Sequence, residues 1–78
     1  MDNFELAKQS FLQGLEALQM KAMSQAEAHF RRSLEWMPGR LSTLVNLAAA
    51  LLAQHKFAEL KRTAQAIVDA DEIGRAHV

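Results

Sequence analysis

The stretch Ser24-Gln25-Ala26-Glu27-Ala28-His29-Phe30-Arg31-Arg32-Ser33-Leu34-Glu35-Trp36-Met37-Pro38-Gly39 decides how this chain folds. Ser24 followed three residues later by Glu27 has the form of a capping box, in which the serine accepts from a backbone N–H and the glutamate reaches back to the cap. Met23 and Ala28 flank it as a hydrophobic staple. The helix so announced runs to about Trp36. Pro38-Gly39 stops it, because proline disfavours helical geometry in the residue before it and glycine tolerates positive φ.

Working outward, the apolar residues Leu6, Ala7, Phe11, Leu15, Ala17 and Leu18 recur at three- and four-residue intervals between Phe4 and Met20. That is the period of an amphipathic helix, with Asp2 as its cap and Glu5 three residues on. Beyond Pro38-Gly39 a third helix is expected over about Arg40 to Ala53 and a fourth over about Phe57 to Ala70, joined by the short turn Gln54-His55-Lys56. Short connections make antiparallel neighbours, so the expected architecture is all-α, two helix hairpins side by side. Residues 72–78 are expected to form a frayed tail or one extra turn.

Composition agrees. At 78 residues the chain is one domain, and half of it is apolar with only 6% aromatic, a mix that suits helices packed through Ala, Leu and Met. A chain of this length buries only roughly 60% of its unfolded surface, so its core is marginal and neighbours are expected to help. Nine basic and nine acidic side chains cancel, which argues against nucleic acid and anionic membranes as partners. There is no cysteine, hence no disulfide, no thiolate chemistry and no call for an oxidising compartment; a cytoplasmic location is expected. The longest apolar run, Leu47 to Ala53, falls far short of the ~20 residues that span a bilayer.

Sliding the chain against itself by 34 residues aligns the first helix with the third and the second with the fourth. Phe11 falls on Val45, Gly14 on Ala48, Leu18 on Leu52, Met23 on Phe57 and Leu34 on Val68. With Gly14, Ala26, Phe30 and Pro38 in the slots of the pattern W-x₂-L-G-x₂-Y, A-x₃-F, P, the chain resembles the tetratricopeptide repeat (TPR) family. Repeat one covers about residues 7–38 and repeat two about 41–71. Ser10, Gln13 and Ala17 replace the usual Trp, Leu and Tyr. In the second repeat Leu60 stands where a small Ala is usual and Ala64 where Phe is usual, a large-for-small exchange that conserves volume.

Chemistry-bearing constellations are sparse. His29, His55 and His77 lack the paired helical spacing of zinc hydrolases, and no phosphate loop, nucleophile elbow or close carboxylate pair is present. The chain is therefore expected to be no enzyme and to hold no metal or cofactor. Glu27, Arg31 and Glu35, four apart, are expected to form a ladder on a solvated face, and Lys61-Arg62 an exposed basic pair. Trp36 is expected in the core between the hairpins.

The resemblance implies that the first helix of each hairpin lines a concave face. Its inner positions here are Lys8, Phe11, Leu15, Leu18 and Gln19, then Ser42, Val45, Ala49, Leu52 and Ala53, with Asn46 alone matching the polar clamp by which some relatives hold acidic chaperone tails. Phe11 and Leu15 stand where that clamp needs Lys and Asn, so the groove is expected to be apolar. The expected function is a protein–protein interaction module presenting Phe11, Leu15, Leu18, Val45, Asn46, Ala49 and Leu52 to an apolar or amphipathic helix or peptide. Two alternatives remain. The fourth helix, with Leu60, Ile67 and Val68, has no following repeat to cover it, so the chain could close that end as a homodimer. Or it is an accessory segment of a larger enzyme such as a transferase.

Overall fold

The computed structural model describes residues 1–76, with side chains for residues 1–71. Four helices follow in order: α1 (Asn3–Gln19), α2 (Met23–Trp36), α3 (Leu41–Ala53) and α4 (Phe57–Ala76), with no strand among the described residues. Asp2 caps α1: its Oδ1 accepts from the Glu5 N–H at 2.9 Å, and the Glu5 carboxylate lies in the first turn, where the helix dipole favours it.

The turns within the two hairpins are built alike. After α1, the Lys21 N–H donates to Leu18 O at 3.0 Å and the Ala22 N–H to Ala17 O at 2.9 Å; after α3, His55 donates to Leu52 O and Lys56 to Leu51 O, both at 3.0 Å. This is the Schellman pattern, which needs a left-handed residue after the cap. Lys21 (φ 63°) and His55 (φ 60°) supply it, 34 residues apart, as are all the donors and acceptors. The period seen in side-chain types is thus a period of the backbone. Neither position is glycine, so each turn holds an L-residue in a conformation that costs about 1 kcal/mol or more. Lys21→Gly is expected to stabilise the domain by about 0.5–1 kcal/mol, read as a rise in Tm of roughly 4 °C; an unchanged or lower Tm would show that this turn carries no such strain.

The same turn overturns the expected capping box. Ala22 closes the α1 turn and at once caps α2, accepting from the Ala26 N–H at 2.9 Å, so Ser24 is already the second helical residue and makes no cap bond. Met23, likewise helical, cannot act as the outer half of a staple. Glu27 is freed from the cap and does something else, described below. At the other end α2 stops at Trp36 as expected, with Gly39 at φ 77° turning the chain into α3. The fourth helix runs past the expected Ala70 to Ala76. Its sequence holds no proline, and a lone Gly74 is too weak a breaker to end it. His77 and Val78 lie outside the described residues.

Helix α1 packs along α2, α3 along α4 and α2 against α3, while α1 and α3 meet at only a few points. Two hairpins therefore stack into a slab of 37 × 34 × 17 Å, whose thin dimension is under two helix diameters. So flat a body has little interior. The core consists of Ala7, Ala17, Ala26, Phe30, Leu44, Leu47, Ala50 and Leu51. Four of these eight are alanines, which let the helix axes close in around one large ring. Phe30, fully buried, lies over Gly14 and tilts against Phe11 with ring centroids 5.8 Å apart. Beside it the buried Ser33 hydroxyl donates to Ala7 O at 2.8 Å and locks α2 to α1.

In the second hairpin Leu60 occupies the slot of Ala26 and packs on this core, whereas Ala64, in the slot of Phe30, is exposed. Leu60 fills its slot, but the exposed Ala64 does not offset it in the packing, so the expected volume-conserving exchange between facing helices is not found. Its place on the core also removes Leu60 from the open end of the stack, where it was expected to wait for a second copy. Trp36 departs from expectation too. It stands 37% exposed in the cleft between α1 and α2, near Leu6, Gln9 and Arg32, and not between the hairpins. At 3.6 residues per turn Trp36 lies about 200° round the helix from Leu34, the residue that does face α3.

The expected surface ladder of Glu27, Arg31 and Glu35 is replaced by a clasp between the hairpins. Glu27 is buried, and its Oε1 accepts from Gln54 Nε2 at 2.9 Å and Lys56 Nζ at 3.0 Å, while Oε2 accepts from Arg31 Nε at 2.8 Å. Arg31 then reaches Glu59 on α4 at 3.0 Å and leaves Glu35 exposed. A local i,i+4 spacing did set the Glu27–Arg31 pair. The second hairpin supplied the rest: Gln54 and Lys56 at the α3–α4 turn hold Glu27, and Glu59 of α4 holds Arg31.

Candidate functional site

The expected groove residues lie on α1 and α3, two helices that meet at only a few points. On α3 every third or fourth residue away from the core is open to solvent: Val45 is 50% and Leu52 55% exposed, with Ala49 exposed between them. These three of the expected groove residues form a continuous apolar ridge. On α1 the expected residues Phe11, Leu15 and Leu18 are only half-buried, because they lean into the seam and pack against the Phe30–Leu47–Leu51 core. They form the floor of the groove. The outer ridge of α1 is instead carried by Leu12, 51% exposed, one step round the helix from Phe11 and absent from the expected set. Asn46 is half-buried, and its Nδ2 donates to Ser42 O at 2.8 Å, so its amide nitrogen is held by its own helix.

Near the α1 N-terminus lies a cavity of about 230 Å³ lined by Phe4, Ala7, Lys8, Phe11, Leu12, Ser33 and Arg40. The Arg40 guanidinium stands 5.1 Å over the Phe4 ring, which positions it by cation–π attraction. Two cations, Lys8 and Arg40, therefore line this otherwise largely apolar cavity. The sequence reading placed Lys8 on this face but missed Phe4 and Arg40, since the pairing joins the start of α1 to the start of α3. Five or six apolar side chains of this kind present on the order of a few hundred Å².

The other expected surface is split. Leu60 is turned inward, Ile67 is half-buried, and Val68 is 48% exposed on α4. His29 is half-buried beside Gln13, Glu16 and Met20, and His55 lies edge-on to Phe57 at 5.7 Å. Among the described residues no group of three or more His, Cys, Asp or Glu is placed to hold a metal ion, and no helix is long and apolar enough to cross a membrane. Comparison with protein-family models, with curated proteins and with solved structures finds no match to the chain.

Proposed function

We propose that this chain is a TPR-like, non-catalytic interaction module of the cytoplasm, whose α1/α3 groove receives an apolar or amphipathic helix from another protein. The observation that carries the reading is the solvent exposure of Leu12 on α1 and of Val45, Ala49 and Leu52 on α3, beside the half-buried Phe11, Leu15 and Leu18. Residues at successive three- and four-residue steps on two neighbouring helices leave a furrow into which the ridge of a third helix fits. Burial of such a surface drives association with a negative ΔCp and little response to salt, unlike an acidic-tail clamp.

The test is a library of helical peptides selected on the full chain, with affinities compared between the parent and two variants. Val45→Glu and Leu52→Glu each put a charge on an exposed ridge without touching the core, so circular dichroism should show the parent helicity. Selected apolar peptides are expected to lose at least about tenfold in affinity to either variant. Variants that fold and still bind like the parent would show that the groove is not the site. Leu15→Glu is the poorer probe, since Leu15 packs on the core and its charge would also destabilise the fold.

A further inference from the structure

Helix α4 carries, one period on, the face by which α2 grips the second hairpin. On α2 that face is Glu27, Arg31 and Leu34: Glu27 holds Gln54 and Lys56, Arg31 holds Glu59, and Leu34 stands beside Leu44 and Leu47. The 34-residue offset fixed by the matching turn hydrogen bonds carries these three positions to Lys61, Gln65 and Val68. All three are exposed, and so are Phe57 and Ala64, which lie on the same side at three- and four-residue steps. The backbone platform is the one that α2 offers to α3. One side chain changes its sense: where α2 has the carboxylate of Glu27, α4 has the ammonium of Lys61, which has no ion-pair partner among the described residues.

We propose that this face of α4 docks a helix from a partner protein, antiparallel to α4 as α3 is to α2, with apolar side chains over Ala64 and Val68 and a carboxylate at its C-terminal end against Lys61. The charge reversal selects the occupant. A helix ending like α3, in Gln54 and Lys56, would set a second ammonium group against Lys61, whereas an acidic ending restores the pair with its polarity exchanged. The field along α4 agrees with that direction. Lys61 faces the negative end of the docked helix dipole, and Asp69, which accepts from Gln65 Nε2 at 2.9 Å, faces its positive end. This surface is separate from the α1/α3 groove.

The probe is a synthetic peptide of residues 41–56 with Gln at the exposed positions 45, 49 and 52 and Glu at positions 54 and 56; its twin keeps Gln54 and Lys56. Each is titrated into the isotope-labelled full chain and followed by NMR. The acidic peptide is expected to shift amides within residues 57–69 and to bind roughly three- to tenfold more tightly than its twin at low salt, with the difference shrinking toward about 0.5 M salt. Lys61→Glu, at an exposed position, is expected to invert the preference. Equal binding of both peptides, no response in residues 57–69, or shifts confined to the α1/α3 groove would overturn the proposal. So would a concentration-dependent doubling of the chain's mass that Val68→Asp removes, which would assign the face to a second copy. Leu52→Glu is expected to leave the α4 response intact, so failure here and failure of the groove are read separately.

Discussion

Gly14→Leu is expected to lower the stability of the domain by about 3 kcal/mol, a fall in Tm on the order of 15 °C. A β-carbon built on Gly14 would stand 2.6 Å from Phe30 Cδ1 and 2.8 Å from Cζ, and closer still to Cε1. The ring cannot step aside. Phe30 is fully buried, held on its other sides by Phe11 and by the Leu47–Leu51 layer of α3, so the added side chain must push α1 and α2 apart. Alanine here gains helix propensity of up to about 1 kcal/mol but meets the same ring, so Gly14→Ala should also destabilise, by less. A thermal melt gives the first answer and a double-mutant cycle the cause: shortening the ring with Phe30→Leu should recover part of the loss in the Gly14→Ala background. Parent-like melting of Gly14→Leu would mean that the first two helices do not meet at this point.

That contact was legible in the sequence because it is a matter of residue size at a repeated interval, and so were the helix order and the stop at Pro38-Gly39. The first turn was not. Its left-handed positions are filled by Lys21 and His55, where no glycine or asparagine marks the C-terminus of a helix, and Ser24-Gln25-Ala26-Glu27 then supplied a false start two residues late. The angular position of several side chains was not legible either. Trp36 was assigned to the inter-hairpin core by its closeness to the end of α2, although its angle from Leu34 turns it to the opposite cleft. Of the expected groove residues, Val45, Ala49 and Leu52 on α3 are exposed, whereas on α1 the repeat register singles out residues that pack on the core and passes over the exposed Leu12. The clasp around Glu27 was out of reach of any local pattern, since its partners Gln54 and Lys56 lie 27 and 29 residues away.

That clasp ties the stability of the fold to pH through Glu27. Burial alone would raise the Glu27 pKa, but hydrogen bonds from Arg31, Lys56 and Gln54, with the Arg31 charge added, outweigh it and hold the carboxyl down from 4.5 to about 2. A carboxyl whose folded pKa lies below its unfolded value stabilises the fold fully above pH ~4.5, and the contribution drains away as pH falls through about 2. The shift corresponds to roughly 3 kcal/mol for a group whose own side chain is only 10% exposed. For a domain this small that is a large share of the total stability. Chemical-denaturation midpoints measured from pH 7 to pH 2 should therefore decline steeply below about pH 4.5 in the parent. Glu27→Gln should be destabilised by about 2–3 kcal/mol at pH 7 and should show a much flatter acid limb, converging on the parent near pH 2. Glu59→Gln, which loses only the half-exposed end of the network, should cost under about 1 kcal/mol and keep the parent's limb. Should Glu27→Gln retain the full acid dependence, the sensitivity belongs to other carboxylates, and the two hairpins are held together by the Leu34–Leu44–Leu47 contact without help from the buried charge.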